Sequence, residues 1–330
     1  MTKAITRAST ATGFAGLMVG LALIAAGPAQ ASFPGTNGVI VFERGGDLYS
    51  TDPGASEATR LTKTKLFEAN PSISPDGRTV AFERGKKSND DVVPRVSSRV
   101  WSMRIDGSHQ RRLTGLKGAA NVKENRYFGT ASPSFSPDGE TIVFQQTEFY
   151  AMRFDNIPDA YIVRHNKIYT MRADGSSKKL LSEGADDTRP LFAPGGEIVF
   201  FGNKRRNDVY SMSANGKNRQ LFPELSFRDS DLGFAPDGGV VVFAGDSRDP
   251  GECSEVYSVN ADGTGLLRLT ANDLCDDSPV VSPDGQQLAY VQYPAEQRHR
   301  CEQGTIMLAA LDGTNPQPLT SGCTLDWAPN

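Results

Sequence analysis

Ser74-Pro75-Asp76-Gly77-Arg78-Thr79-Val80-Ala81-Phe82 is the stretch of this chain that decides its fold. The proline sets the backbone for the second position of a turn, the aspartate can accept a hydrogen bond from the backbone two residues on, and the glycine tolerates positive φ. The run that follows is rich in β-branched and apolar residues and ends in an aromatic, which is typical of a buried strand. The stretch therefore predicts a tight turn that leads into a strand.

The same stretch recurs along the chain. Its copies begin at Ser74, Ser136, Ala193, Ala235 and Ser282, and a truncated copy begins at Ala328. Between copies comes a second apolar strand and then an Asp-Gly or Asn-Gly pair, a strong hairpin signal. The steps between copies are 62, 57, 42, 47 and 46 residues, and one propeller blade takes about 40–45 residues. The repeats predict an all-β chain, a β-propeller with four-stranded antiparallel blades and insertions in the longer repeats.

The two ends of the chain complete each other in this pattern. In the first repeat, the residues from Phe33 to Gly38 are too few for an innermost strand. The chain ends in an innermost strand, Thr324 to Asn330, that no blade follows. We therefore expect the C-terminal strand to complete blade one, which gives six blades and removes the exposed strand edges at the seam.

The repeat resembles that of a known family. Its consensus is Pro-x-hydrophobic-Ser-Pro-Asp-Gly, an Ile-Ala-Phe-like strand, Ile-Tyr-x-Met-x-Ala-Asp-Gly and Arg-Leu-Thr, as in Pro71 to Gly77, Ile168 to Gly175 and Arg112 to Thr114. This pattern is similar to the TolB-type, WD40-like propeller repeat over nearly the whole mature chain. Because the first strand begins at about Val39, the resemblance implies the propeller alone, without the small α/β domain that precedes it in TolB. Roles in the Tol envelope system are not carried over.

The N-terminus predicts export. Lys3 and Arg7 precede an apolar run from Gly13 to Gly27, and the small-x-small exit Ala29-Gln30-Ala31 follows. These features predict a secretory signal peptide over residues 1–31 and a propeller over residues 32–330. The alternative is a membrane anchor, but 15 apolar residues fall short of the roughly 20 that a span requires. We expect the mature chain to be secreted or periplasmic, without membrane insertion.

Charge limits the class of partner. Removal of Lys3 and Arg7 from 35 basic residues leaves 33 against 39 acidic ones, a net charge near −6. This balance disfavours nucleic acid and anionic membrane as partners. We expect a monomer that binds a protein or another component of the cell envelope.

The four cysteines predict two disulfides. Cys253 and Cys275 are 22 residues apart, as are Cys301 and Cys323, and each pair straddles a hairpin turn. Residues equidistant from such a turn face each other across two strands. We expect Cys253–Cys275 in blade five and Cys301–Cys323 in blade six, each stabilising by about 3 kcal/mol. A four-cysteine zinc site is the alternative, and it lacks close Cys-x-x-Cys pairs.

Three insertions are expected on one face of the ring. They comprise residues 85–98, 115–131 and 147–166, and they belong to the face opposite the Ser-Pro-Asp-Gly turns. Loops on a rigid scaffold often carry recognition, and aromatic residues with arginine are typical interface anchors. The predicted partner-binding residues are Arg126, Tyr127, Phe128, Phe149, Tyr150, Phe154 and Tyr161. The alternative is a set of self-packed loops that only cover the blade ends.

A second pattern lies six residues before each turn. The residues there are Glu68, Thr130, Asp187, Asp229, Asp276 and Gly322, of which four are acidic. We expect these four to form a partial ring near the channel mouth, able to hold a cation or a lysine or arginine of a partner. The alternative is that each acid caps a local turn.

Motifs for catalysis are missing from the sequence. It has no Gly-x-Ser-x-Gly elbow, no His-Glu-x-x-His and no phosphate loop. Of its three histidines, only His165, near Asp155 and Asp159, is a catalytic candidate, and a weak one. We therefore predict a non-catalytic binding or scaffold propeller for a protein or glycan, with no cofactor and no metal. The alternative is a metal-dependent lyase or lactonase with its site in the channel near Asp187, Asp229 and Asp276.

Overall fold

The computed structural model describes residues 33–55, 57–86, 98–115, 120–121, 126–154, 157–182, 186–202, 208–222, 231–246, 253–297 and 301–330. Strands arranged in six sheets make up most of this part of the chain. Every strand pairing in it is antiparallel. Within the same residues, no helix is long and apolar enough to cross a membrane.

The strands follow the repeats, blade by blade. They are β1 (Asn37–Arg44), β2 (Asp47–Thr51) and β3 (Thr59–Arg60) in blade one; β4 (Leu66–Ile73), β5 (Thr79–Lys86), β6 (Arg99–Arg104) and β7 (Arg111–Arg112) in blade two; β8 (Ala120–Asn121), β9 (Arg126–Phe135), β10 (Thr141–Phe154), β11 (Ile157–Arg172) and β12 (Lys179–Leu180) in blade three; β13 (Thr188–Phe192), β14 (Ile198–Gly202), β15 (Asp208–Met212) and β16 (Gln220–Leu221) in blade four; β17 (Leu232–Phe234), β18 (Val240–Asp246), β19 (Ser254–Asn260) and β20 (Leu267–Arg268) in blade five; β21 (Leu274–Val281), β22 (Gln287–Pro294), β23 (Thr305–Ala310) and β24 (Gln317–Ser321) in blade six; and β25 (Cys323–Pro329). The six-bladed propeller predicted from the sequence is confirmed.

The C-terminal strand closes the ring as predicted. β25 pairs with β1 in the sheet order β25-β1-β2-β3, with Trp327 opposite Ile40. Trp327 is buried and its Nε1 donates to the carbonyl oxygen of Gly38 at 3.1 Å. The backbone N–H of Asn330 donates to Thr36 O at 2.9 Å. Blade one is therefore assembled from both ends of the chain.

The recurrent turn owes its shape to hydrogen bonds within the tetrad. Ser74 Oγ donates to Asp76 Oδ1 at 2.6 Å and accepts from Thr79 N at 2.9 Å. The Gly77 N–H donates to Ser74 O at 2.9 Å, and Gly77 has a φ of 67°. A Cβ there would collide with Pro329 O of the closing strand. Glycine is required at this position by both its conformation and its neighbour.

The innermost strand of five blades contains a bulge that the sequence analysis did not predict. In each of these blades, the residue four positions before the turn has a positive φ. These residues are Asn70, Ser132, Arg189, Ser278 and Thr324. The strand register shifts at each of these places. Polar side chains from the preceding blade hold two of these bulges: Glu83 Oε1 accepts from Ser132 N at 2.8 Å, and Gln145 Oε1 accepts from Arg189 N at 3.0 Å. Such bulges redirect side chains at the rims of closed sheets.

The core of the blades repeats one aromatic arrangement. The stacked pairs are Phe42–Tyr49, Phe144–Tyr169, Phe200–Tyr210 and Phe243–Tyr257, with centroid separations of 5.5–6.0 Å. Arg44, Lys178 and Arg219 lie over three of these pairs, and Arg84 lies over Phe82 and Trp101, which are opposite each other in blade two. Cation–π contacts in such partly desolvated places add stability to the sheet interior.

Both predicted disulfides are present, but their placement corrects the sequence analysis. Cys253–Cys275 and Cys301–Cys323 have Cα–Cα separations of 4.5 and 5.1 Å. Cys253 immediately precedes β19 of blade five whereas Cys275 lies in β21 of blade six, and Cys301 of blade six is joined to Cys323 in β25 of blade one. The 22-residue segment between the two cysteines of each pair includes the fourth strand of one blade and the connection to the innermost strand of the next. Each disulfide therefore joins two blades, and one of them fastens the closing strand.

Candidate functional site

Blade three projects beyond the other blades. Its strands β10 and β11 have 14 and 16 residues, whereas the second strands of the other blades have 5 to 8. Pairing of β10 with β11 continues from Gln146–Lys167 outward to Phe154–Ile157. Residues 147–166, predicted as a loop, are thus almost entirely strand, because their aromatic and β-branched residues sustain the ladder. We call residues 126–131, 147–154 and 157–166 the blade-three extension.

The extension carries all seven predicted partner-binding residues. Across β9 and β10, Arg126 is opposite Tyr150, Tyr127 is opposite Phe149, and Phe128 is opposite Glu148. Tyr161 of β11 is opposite Ala151, and Phe154 pairs with Ile157 where the two long strands end. Residues that are far apart in sequence therefore share one small sheet.

Phe149 has a structural role instead of the predicted one. Its side chain is 0% exposed, so it packs within the blade and cannot be a surface anchor. Phe128 is half-buried. The other five are placed by their backbone register in the sheet.

The extension leads directly to the mouth of the channel. We call the six residues that lie four before each turn the channel rim: Asn70, Ser132, Arg189, Asp231, Ser278 and Thr324. Arg189 is exposed, and the other five are half-buried. Asp231 Oδ2 accepts a hydrogen bond from Ser278 Oγ at 3.0 Å. Arg126 and the rim residue Ser132 both lie in β9, so Arg126 is about 20 Å from the rim at about 3.3 Å per residue.

The acids predicted to form a ring are buried instead. Glu68, Asp187 and Asp276 are 0%, 1% and 0% exposed. Glu68 Oε1 accepts from Arg84 Nε at 2.8 Å, and Asp187 Oδ2 accepts from Arg219 Nη1 at 2.9 Å. Burial of a carboxylate requires such partners, and these come from the same blade.

The remaining positions of the predicted ring have other roles. Thr130 is buried and its Oγ1 accepts from Val100 N at 3.1 Å. The Gly322 N–H donates to Gly304 O at 2.9 Å. Asp229 lies outside the described residues. Among the described members of this set, the three acids are buried in contacts within their own blades, and Thr130 joins blade three to blade two.

Asp276 differs from the other two buried acids. It accepts from Asn272 Nδ2 at 2.7 Å and from Gln292 Nε2 at 3.0 Å. Among the described residues no lysine or arginine forms a salt bridge with it. Burial raises the pKa of Asp276 to about 6, although its side-chain hydrogen bonds act in the opposite direction.

Inside the channel, one side is polar and the other apolar. The innermost strands enclose a cavity of about 140 Å³. Asp326 Oδ2 accepts from Ile73 N at 2.7 Å, Ser72 Oγ accepts from Phe135 N at 3.3 Å, and Ser134 Oγ accepts from Phe192 N at 3.1 Å. The equivalent residues of the next three blades are Leu191, Gly233 and Val280. Side-chain hydrogen bonds thus join blades one to four around the axis.

The described residues contain two arrangements that could bear on metal binding or catalysis, and neither forms a complete site. Glu43, Cys301 and Cys323 lie close enough to surround an ion, but both sulfurs are joined in a disulfide. His165 is half-buried in β11 opposite Glu148, and its Nδ1 has no hydrogen-bond partner among the described residues. Asp155, its proposed catalytic neighbour, lies outside those residues, and Asp159 is placed by its backbone alone.

Comparison with known proteins gives one family and one fold. The sequence matches the TolB beta propeller domain over residues 32–231. It is 26% identical over 287 residues to the Tol-Pal system protein TolB of Francisella tularensis subsp. mediasiatica (strain FSC147), covering 83% of this chain and 56% of that protein. The chain therefore spans about half the length of the curated relatives it matches.

Two solved structures share the propeller architecture. TolB from Acinetobacter baumannii has a TM-score of 0.61 and 17% sequence identity, with 88% of this chain and 66% of that chain covered. Oligogalacturonate lyase in complex with manganese has a TM-score of 0.51 and 12% identity, with 83% and 70% covered. These likenesses show the fold alone, and the same fold serves proteins with different activities.

Proposed function

Because this chain belongs to the TolB beta propeller domain family, we propose that it is a binding propeller that works outside the cytoplasm and captures a protein partner on its blade-three extension. The observation that supports this proposal is the extension itself, in which β9 and the strands of 14 and 16 residues bring six aromatic and arginine residues besides the buried Phe149 onto one projecting sheet. A rigid sheet presents side chains with little loss of conformational entropy on binding.

The proposed compartment follows from two features. We propose that residues 1–31 are a signal peptide cleaved after Ala31, as the composition of this segment predicts. The two disulfides support an oxidising, extracytoplasmic location. The matched relatives are named as proteins of the Tol-Pal system, and a partner in the cell envelope is the corresponding proposal for this chain.

A binding role is favoured over a catalytic one by the state of the candidate acids. Asp187 is neutralised by Arg219 and Asp276 is held by two amides. A catalytic metal would need such carboxylates to point together into an open site. We therefore propose no enzymatic activity, and native mass spectrometry with and without a chelator tests this: a stoichiometric metal would favour the lyase or lactonase alternative.

The proposal is tested by capture from an extract of the cell envelope on the immobilised mature protein. Arg126→Ala, Tyr150→Ala and Tyr161→Ala are each expected to reduce partner retention by about tenfold or more, as at a binding hot spot. Leu221→Ala and Leu267→Ala are matched controls, because these apolar side chains are 59% and 52% exposed on the outer strands of blades four and five. They are expected to leave retention unchanged.

A shortened hairpin provides a second variant. In this variant, the dipeptide Asn-Gly replaces residues 148–165 and connects Thr147 to Asn166. These two residues are opposite each other, with a hydrogen bond of 2.8 Å between their side chains, and Asn-Gly suits a two-residue hairpin loop. This variant is expected to remain a folded propeller and to lose the partner. Undiminished retention would contradict the proposal, and retention that survives protease treatment of the extract would replace the protein partner with a glycan.

A further inference from the structure

Asp326 is a carboxylate in the wall of the channel, whose opposite side is apolar. Its Oδ2 accepts from Ile73 N at 2.7 Å and its Oδ1 from Trp327 N at 2.9 Å. It shares the cavity of about 140 Å³ with the apolar residues Leu191, Leu232 and Val280, and no lysine or arginine is among the described residues that line this cavity. Neutral N–H donors alone compensate a buried carboxylate poorly, and burial raises the pKa of Asp326 to about 7. The site lacks a cation.

The N-terminal segment brings the chain to the same cavity. Phe33, the first described residue, is 8% exposed and lines the channel together with Asp326. Two contacts hold the residues that follow: Gly35 N donates to Pro283 O at 3.2 Å, and Asn37 Nδ2 donates to Asp284 Oδ2 at 3.0 Å. The chain therefore enters the channel from the face that carries the Ser-Pro-Asp-Gly turns.

We propose that Asp326 is a binding site for an alkylammonium group, and that its ligand is the α-ammonium created at Ser32 when the signal peptide is removed. The inference rests on the cleavage after Ala31 proposed above. Ser32 immediately precedes Phe33 in the sequence, and Phe33 is already part of the cavity wall. The cavity has room for the volume of several waters at about 30 Å³ each, enough for a serine backbone and its ammonium.

The chemistry of the pair suits the site. An α-ammonium has three donors and carries its full charge below a pKa of about 8. Its hydrogen bonds to a carboxylate are charge-assisted and stronger than those of a neutral amide. In the precursor this nitrogen is part of a peptide bond and cannot be charged. Because Asp326 joins the closing strand β25 to Ile73 of blade two, cleavage would strengthen the seam of the ring only after export.

Trace acetylation of the purified mature protein tests the pair. Acetic anhydride labels only the uncharged amine, and mass spectrometry of the peptide that begins at Ser32 gives the rate. At pH 7.5 we expect this amine to react about tenfold more slowly in the wild type than in Asp326→Asn, which corresponds to a pKa difference of about one unit. Asp237→Asn, which alters an exposed carboxylate in another turn of the same type and outside the cavity, is the matched control and is expected to behave as wild type.

A second measurement distinguishes loss of the ion pair from a general folding defect of the Asp326→Asn variant. Adding Gly-Ser ahead of Ser32 displaces the amine and leaves Asp326 intact. This extension is expected to lower the melting temperature of the wild type and to have no further effect in the Asp326→Asn background, as a double-mutant cycle requires for a direct pair.

Three results would overturn the inference: equal labelling in wild type and Asp326→Asn, additive effects of extension and substitution, or a mature protein that does not begin at Ser32. None of these measurements involves the blade-three extension. A protein that captures its partner but has a free amine would therefore refute the ammonium site and leave the proposed function standing.

Discussion

Arg84 and Glu68 are directly opposite each other on β5 and β4 and form a buried ion pair with a distance of 2.8 Å between Nε and Oε1. In blade six the same two positions are occupied by Gln292 and Asp276, which are likewise opposite each other. One blade therefore has a compensated carboxylate where the other has an amide and an acid with raised pKa. This difference leads to predictions for variants of both blades.

Asp276 is expected to make stability depend on pH. Its folded pKa is raised from 3.8 to about 6, so between these values the unfolded chain ionises this group while the folded protein keeps it protonated. Stability is therefore lost as the pH rises from about 4 to 6, by about 3 kcal/mol at about 1.4 kcal/mol per pKa unit. Asp276→Asn removes this contribution. Urea unfolding at pH 4 and pH 6.5 measures the change relative to wild type.

Gln292→Arg supplies a cation opposite Asp276 and thereby restores the arrangement of blade two. It is expected to remove the pH-dependent contribution of Asp276 to stability. Asp52→Asn, at an exposed position, is the control and is expected to keep the wild-type pH dependence. If Asp276→Asn and wild type lost stability in parallel over this range, the raised pKa would be wrong.

The Arg84–Glu68 pair gives the converse expectation. Arg84→Met leaves the Glu68 carboxylate buried without its cation and is expected to cost about 3–5 kcal/mol. The double variant Arg84→Met/Glu68→Gln is expected to recover most of that loss, because the amide is neutral; its oxygen can accept from one of the two threonine hydroxyls, Thr62 or Thr64, and its NH2 can donate to the other. Chemical unfolding of the two single variants and the double variant measures the coupling. Additive losses would show that the two side chains do not act as a pair.

The turns and the disulfide pairs could be predicted because their determinants are local in sequence. Ser74, Asp76 and Gly77 define their turn through hydrogen bonds within the tetrad. Cys253 and Cys275 are placed by their position in the repeat. Their assignment to one blade was wrong, because sequence spacing does not show where a crossover carries the chain from one blade to the next.

The site was less predictable because it depends on tertiary contacts, some within a blade and some between blades. Glu68 and Asp187 were expected near the channel mouth, but Arg84 and Arg219 of the same blades hold their carboxylates in buried ion pairs. The role of Phe149 in packing depends likewise on tertiary contacts. The bulge at Ser132 had one local signal, the proline that follows it, but its N–H is bonded to Glu83 of another blade.

The two disulfides are expected to stabilise by similar amounts but at different places. Loss of either, as Cys253→Ser/Cys275→Ser or Cys301→Ser/Cys323→Ser, removes the closure of a loop with a sequence separation of 22 residues and is expected to cost about 3 kcal/mol. Only the second pair fastens β25. Hydrogen exchange is therefore expected to rise in β25 and β1 of that variant, and the first variant serves as its control. Equal protection of β25 in the two variants would contradict the placement at the seam.

The bulge at Ser132 predicts that a glycine variant is more stable than a valine variant, which is unusual in a strand. Ser132 has a φ of 49° and its N–H donates to Glu83 Oε1 at 2.8 Å. Ser132→Gly keeps that donor and relieves the steric cost of positive φ, so it is expected to be neutral or slightly stabilising. Ser132→Val is expected to lose about 1–2 kcal/mol, because a β-branched side chain is disfavoured in the left-handed region. Urea unfolding measures both, with Ser72→Gly and Ser72→Val as controls on a neighbouring innermost strand where φ is not positive. At Ser72, which lies in extended strand, the Val variant is expected to be more stable than the Gly variant, since glycine weakens a strand and valine favours it. If the Gly variant were the more stable at both positions, the bulge conformation would not explain the result at Ser132.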